Sequence, residues 1–577
     1  MTRIRRLWAV VVLAAAVVCA GSGCTVIPVS GPYTMNDAAG ADPLTKPFQR
    51  MIATLPQPGW GIEPTIRGLQ AAMAAYADDP TVLPQYLTAD ALKGWTPSGA
   101  VTVLDDHLQV DLPEEDGAAS AQRVTLKAKQ VARIEEDGTY VPQSGNWGRP
   151  FDLVKVKEGG YRVSGLPDGL ILTRSDVERA YRPTKLYYLN GSTQDRLVVD
   201  NVRLRLKPAE TYAKVILERL LKQPSGALVG AATTAFPPGT KVESVRSAED
   251  ESVVINLSGP LDLLDLSGED ALMAQIRYSL NNNDVAKGRS ISVLLDGEPY
   301  TSHHPNTDDQ RWLDNSGNSA YYVSDGAVHY LAKDGPGGAV AGPAGEKRQG
   351  YSDFAISKKG AYVAARTSTG ISAAPLAQGG QWQEVIQGTD LTPPSWHRDG
   401  SLWTFDRRNR AVLRYDPAAK RGPETVSAPG VEKLDVTNLR VARDGVRVVV
   451  TTGKNTVWLG ALTVMGGLEL SNLRSLTTTE AGDEIRDAAW RDDEHLLVLV
   501  QTKAGQKLNE IDVGDGAVVE IPLKDPLQAL AALNERVLAE SEPEKKGQGA
   551  KLLELNEDQS WTSKIDSDVE TPLFPLG

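Results

Sequence analysis

The chain has 577 residues, 41% hydrophobic and 23% charged, with a net charge of −13. So long a chain does not fold around one core, and roughly three or four domains are expected. The acidic balance argues against electrostatic capture of nucleic acid or of an anionic lipid surface. With only Cys19 and Cys24 as thiols, a disulfide framework and a thiolate metal cluster are excluded.

The leader comes first in the chain. Arg3, Arg5 and Arg6 precede an unbroken apolar run over residues 7–20, and Gly21, Ser22 and Gly23 lead into Cys24. A charged start, an apolar stretch and small residues before a cut site read as an export signal. The run is shorter than the roughly 18 apolar residues a spanning helix takes. Cys24 resembles the lipobox cysteine of bacterial lipoproteins, whose thiol is acylated and which becomes the new N-terminus after cleavage, here between Gly23 and Cys24. Gly21 departs from that pattern, which commonly has Leu there. A plain secretory signal cut near Ala20 or Gly23 is the alternative. With residues 1–23 removed, Cys24 would be the one cysteine left. Residues 24–47, rich in Pro, Gly, Ala and Asp without helical or strand period, read as a flexible tether.

Residues 48–183 are expected to form an α+β domain. Pro64 opens a helix with Ile66, Leu69, Met73 and Tyr76 at helical spacing, and a second short helix ends at Gly94. Strands then begin near Val101, Arg123, Phe151 and Tyr161. Lys alternates with aliphatic residues around Val124 and Val154, as in a half-buried antiparallel sheet. Trp60, Trp95 and Trp147 either line a pocket or fill the helix–sheet core.

Residues 184–300 read as ββαββαβ. Strands are expected near Leu186 and Val198, a helix from Pro208, strands from Lys241 and Val253, a helix with Leu272 and Ile276, and a last strand from Ile291. Ser267 and Asp270 give a capping signature for the second helix. Six segments in order, Leu186 to Leu189, Leu220 to Pro224, Pro238 to Thr240, Val254 to Ser258, Ala274 to Leu280 and Val293 to Gly297, resemble the GerMN domain of sporulation and germination proteins. The resemblance implies a non-catalytic interaction module.

From residue 310 the chain repeats. Short strands ending in polar turns at Gly360, Gly400, Gly445 and Glu494 each precede an apolar strand, and Gly317 marks a weaker first copy. The period is that of a four-stranded propeller blade, and each copy is a hairpin built on Asp-Gly turn chemistry. Residues 310–577 are therefore expected to form an all-β propeller of about six blades, with two stacked β-sandwiches as the alternative.

Catalytic signatures are missing. The sequence has no phosphate loop, no G-x-S-x-G elbow and no H-E-x-x-H. The glycine-rich run from Gly335 to Gly345 is broken by prolines and reads as an inter-blade loop. Of His107, His303, His304, His329, His397 and His495, only His303 and His304 are adjacent, and neighbours on an extended chain point to opposite sides. The pairs Asp105/Asp106, Asp492/Asp493 and Asp265/Glu269 read as turn residues satisfying backbone donors rather than as acid–base pairs. No cofactor, metal site or catalytic residue is expected. Trp382, Trp396, Trp403 and Trp490 are candidate stacking surfaces for a cell-wall glycan, or else core.

A lipobox-like Cys24, an α+β unit, a GerMN-like unit and a propeller, in that order, resemble the actinobacterial LpqB lipoprotein family. The resemblance implies a cell-membrane protein, lipid-anchored on the extracytoplasmic face. It also implies a partner, the extracytoplasmic part of the sensor histidine kinase of the MtrAB two-component system, whose signalling it would tune in envelope growth and division. The alternatives are a glycan-binding propeller lipoprotein and a propeller hydrolase or lyase.

Overall fold

The structure is a computed structural model that describes residues 33–36, 49–112, 121–205, 211–300, 310–313, 319–333, 335–419, 421–453, 455–543 and 549–576. It begins with a departure from expectation. Strands β1 (Tyr33–Asn36) and β2 (Gln49–Ile52) pair antiparallel, so part of the stretch read as a tether is extended and hydrogen-bonded. Its partner begins only at Gln49, where no local period reveals it.

Helix α1 (Ile62–Ala75) carries Pro64 in its first turn, where the missing N–H is no loss. It buries Ile66, Leu69 and Met73. Helix α2 (Ala89–Gly94) is capped by Thr88, whose Oγ1 accepts from the Ala91 N–H at 3.2 Å. Strands β3 (Val101–Leu104), β4 (Gln109–Asp111), β5 (Ala121–Ile134), β6 (Tyr140–Lys155), β7 (Tyr161–Gly165) and β8 (Ile171–Thr173) precede α3 (Arg174–Ala180). The sheet runs β7-β6-β5-β3-β8, with β4 on β5. It is mixed rather than antiparallel throughout, because β8 adds to the free edge of β3 in parallel. Trp95 and Trp147 are buried in this core and Trp60 packs against it; Trp95 meets Tyr76 edge-on at 5.9 Å. These three aromatics fill the core.

The next elements are β9 (Arg182–Asn190), β10 (Leu197–Leu204), α4 (Tyr212–Leu220), β11 (Ala232–Thr233), β12 (Lys241–Ser247), β13 (Val253–Ser258), α5 (Leu266–Asn281), β14 (Ile291–Leu295) and β15 (Glu298–Pro299). They make two sheets instead of one, β10-β9-β11 and β12-β13-β14-β15, with β13 and β14 parallel. Helix α5 starts one residue before the capping signature: Asp265, not Ser267, is its N-cap and accepts from the Gly268 N–H at 2.8 Å. Buried Gln275 of α5 accepts from the Ala235 N–H at 2.7 Å, tying the helix to the loop after β11. Trp312, on α6 (Gln310–Leu313), is buried in the same core.

The rest of the chain is a ring. Among the described residues it comprises six four-stranded sheets. The first holds β16 (Ala320–Ser324), β17 (Ala327–Ala332) and β18 (Gly335–Ala339). The glycine-rich run thus supplies a strand, contrary to the loop reading. Gly337 has to be glycine there, since a Cβ would lie 2.5 Å from the Tyr330 carbonyl oxygen. Four sheets follow, each in chain order: β19 (Ser352–Ile356) to β22 (Gln383–Gln387), β23 (Ser395–Trp396) to β26 (Glu424–Val426), β27 (Val436–Val441) to β30 (Glu469–Thr478), and β31 (Glu484–Trp490) to β34 (Val518–Ile521). The sixth runs from β35 (Leu527–Leu533) to β38 (Trp561–Val569).

The C-terminal β39 (Thr571–Leu573) pairs antiparallel with β16 and completes the first sheet. The first strands β39, β19, β23, β27, β31 and β35 touch in that order, and β35 touches β39 again. Closure completes the first sheet and leaves each sheet only its short outermost edge. Apolar wedges join neighbouring sheets. Trp403 and Phe405 pack against Leu439 and Val448, and Trp490 packs with Val449 and Leu459.

Candidate functional site at the junction of hairpin and ring

The turns that mark the repeat share a local chemistry. The side chain of Asp444 accepts from the N–H groups of Val446 at 2.7 Å and Arg447 at 2.9 Å. Asp399 accepts from Ser401 N–H at 2.7 Å, and Asp492 from His495 N–H at 2.8 Å. Aspartate thus folds each turn by replacing a backbone acceptor. Gly445 takes the left-handed conformation, φ +71°, and a Cβ there would come within 2.5 Å of the Arg398 side chain.

With the turns fixed in this way, four successive hairpins present charged neighbours to one place, the β9–β10 hairpin. Arg398 clasps Asp195 through Nε at 3.2 Å and Nη2 at 3.0 Å, and Lys358 approaches the same carboxylate at 3.6 Å. Asn190 Nδ2 donates to the Asp444 carbonyl at 2.6 Å. Arg447, held by Asp444 at 2.5 Å, donates to the Val199 carbonyl on β10. Arg196 pairs with Asp493, and Lys185 with Glu494 at 2.7 Å. At the rim, Arg203 meets Asp515 at 2.6 Å.

The arginines at the centre of the junction are buried, while Asp195 and Lys185 at the edge are part-exposed. The side chains of Arg398 and Arg447 are 1% and 6% exposed, and Asp444 is fully buried. Burial pushes the Asp195 carboxyl up, but the bonds from Arg398 and Thr193 and the charge of Lys358 outweigh it and hold the group at about 2. His495 is raised by its bond to Asp492, against the effect of burial. The first α+β unit joins the same body. The Arg203 N–H donates to Gly138 O at 2.8 Å, and Arg205 reaches Ala74 O at 2.6 Å.

Other candidates from the sequence fall elsewhere. Gly23 and Cys24 lie outside the described residues, as do His303 and His304. Asp106 accepts from the Ser175 N–H at 3.1 Å, Asp265 caps α5, and Glu269 is buried in its first turn. Asp492 and Asp493 face different partners, His495 and Arg196. Trp396, Trp403 and Trp490 are almost wholly buried. Their indole N–H groups donate to Ala355 O, Ser401 Oγ and Arg440 O, while half-buried Trp382 donates to Pro343 O. These indoles are packed against protein, not offered as glycan platforms. Among the described residues no three His, Cys, Asp or Glu side chains cluster to hold a metal ion, and no helix is long and apolar enough to cross a membrane. Sequence reasoning missed Arg196, Arg398 and Arg447. A signal existed in the Arg-Asp pair that recurs at 398–399, 443–444 and 491–492.

Fold and junction together define a multidomain, strand-rich protein in which two mixed units ride on a ring of sheets. The family model of the LpqB lipoprotein N-terminal domain matches residues 55–178, that of sporulation and spore germination matches 185–301, and that of the LpqB lipoprotein beta-propeller domain matches 330–575. Proteins named Lipoprotein LpqB are similar along most of their length. The one from Thermobifida fusca is 29% identical, covering 84% of this chain and 86% of that protein. For Streptomyces coelicolor the figures are 26%, 86% and 87%, and for Mycobacterium bovis BCG 24%, 92% and 93%. The chain belongs to the LpqB lipoprotein family, and membership implies membrane anchoring through lipid.

Proposed function

We propose that this chain is a non-catalytic accessory lipoprotein that faces outward from the cell membrane. In this reading residues 1–23 are the leader, acylated Cys24 is the anchor, and residues 24–47 link it to the body. Residues 48–183 and 184–300 are the two contact modules, and 310–577 form a six-bladed propeller. The body binds the extracytoplasmic part of an MtrAB-type sensor kinase and modulates its signalling in envelope growth and division. What supports the reading is the junction: buried ion pairs lock a GerMN-type module onto the ring, giving one rigid, asymmetric surface. A rigid body tethered to the membrane meets a membrane-embedded kinase at high effective concentration. Preferential binding to one conformation of the kinase shifts its population.

The glycan reading loses its residues, because the four tryptophans proposed for stacking are packed against protein. The experiment is crosslinking of intact cells followed by detergent extraction and pull-down of the tagged chain. A sensor kinase in the eluate, lost when Cys24→Ser moves the protein from the membrane fraction to the medium, is the expected result. A membrane-bound Cys24→Ser protein after a salt wash contradicts the anchor. Absence of any kinase with the wild-type chain contradicts the partner.

A further inference from the structure

The ring encloses a cavity of about 510 Å³ to which every sheet contributes at or next to its first strand, from Asp353 through Asn438, Asp487 and Leu530 to Thr571. It therefore lies on the ring axis, apart from the junction, and its volume is that of a small-molecule pocket. Most of its charges are already committed. Asp353 is paired with Arg366 at 2.6 Å, Asp487 with Arg440 at 3.0 Å, and Arg486 with Glu484 at 3.3 Å. Among the described residues Glu570 accepts from the Gly326 N–H alone, at 3.2 Å.

Glu540 is different. It lines the cavity at 7% exposure, and its charged neighbours are the carboxylates of Glu570 and Asp487; among the described residues no ion pair to it forms. On the same wall Asn438 Oδ1 is a buried acceptor and Arg440 Nε a buried donor, each without a hydrogen-bond partner among the described residues. Uncommitted acceptors in a polar cavity are costly unless a donor arrives.

We propose that the axial cavity is a binding site for an organic cation, an alkylammonium or guanidinium group held by Glu540 and Glu570. The cation brings N–H donors and positive charge to Glu540, since the cavity's own Arg440 and Arg486 are held by Asp487 and Glu484. No step depends on the kinase partner, so the site stands or falls separately from it.

The linkage has a definite sign. Burial, together with Glu570 and Asp487, pushes the Glu540 carboxyl up to about 8. At neutral pH the acid is largely protonated, and a bound cation favours the ionised form. Binding therefore releases a proton, and affinity rises with pH until the acid is ionised in the free protein. Arg440, Arg486, Asp353 and Asp487 also face the cavity, each in an ion pair.

The test is calorimetric titration of the secreted Cys24→Ser protein with n-butylammonium chloride and with an acetylated, amidated lysine tripeptide. Neutral n-butanol and sodium acetate serve as controls. The expected result is cation binding that strengthens roughly tenfold or more between pH 6 and pH 8, with heats that depend on the ionisation enthalpy of the buffer. Glu540→Gln weakens it at least about tenfold and removes the pH dependence. Tighter binding of the tripeptide assigns the cation to a peptide side chain, and equal binding assigns it to a free amine. The proposal is overturned if neither cation binds at ten millimolar, if butanol or acetate binds as well as the cation, or if Glu540→Gln leaves affinity and pH profile unchanged. Buffer-dependent heat is read on the unsubstituted cavity, so a poorly folding variant does not remove the test.

Discussion

The wedges between the sheets of the ring and the junction on its face solve the same problem, joining two pieces of protein, by opposite means. Between sheets the contacts are apolar: Trp403, Phe405, Leu439 and Val448 in one wedge, Leu497, Leu530 and Val537 in another. At the junction Arg196, Arg398, Arg447 and Asp444 are buried as charges. Apolar packing is non-directional and supplies stability. Buried ion pairs return little net stability, because desolvation offsets their attraction, but they tolerate only one geometry. The ring is held by affinity between its sheets, and the hairpin is held by fit.

That contrast can be broken from either side. Trp403→Ala removes a large buried side chain from a wedge, and denaturant unfolding should show a loss of about 3–5 kcal/mol. Asp493→Ala leaves Arg196 buried without its carboxylate and should cost about as much, ~3–5 kcal/mol, in the same assay. The double change Arg196→Met with Asp493→Leu removes both charges and should cost less than about 1 kcal/mol. If the double variant is as unstable as the single one, the junction is held by attraction and the contrast fails.

The ring was legible because its repeat is local. Asp399-Gly400 and Asp444-Gly445 each sit between a short strand and an apolar one, so turn chemistry and strand pattern coincide within one hairpin. The sixth hairpin was not read, since its turn uses Asn534, left-handed at φ 54°, in place of glycine. Nor was β39, three residues long, which is a strand only because β16 waits some 250 positions earlier. The start of α5 lies two residues before the one Ser267 would cap, because Asp265 takes the capping bond from the Gly268 N–H. The junction was invisible for a deeper reason. Asp195 and Arg398, or Lys185 and Glu494, lie 203 and 309 positions apart, and no period or spacing connects them. Only the recurring Arg-Asp pair hinted that these turns carried more than a turn needs.

The central claim is that buried charges fix one docking of the hairpin on the ring. Pulsed electron–electron resonance between spin labels measures it directly, with labels at the exposed positions Glu249→Cys and Lys524→Cys in the Cys24→Ser protein. A single narrow distance distribution is predicted, broadening in the Arg196→Met, Asp493→Leu double variant while the fold persists. A broad distribution in the protein with its ion pairs intact, or an equally narrow one without them, would contradict the account.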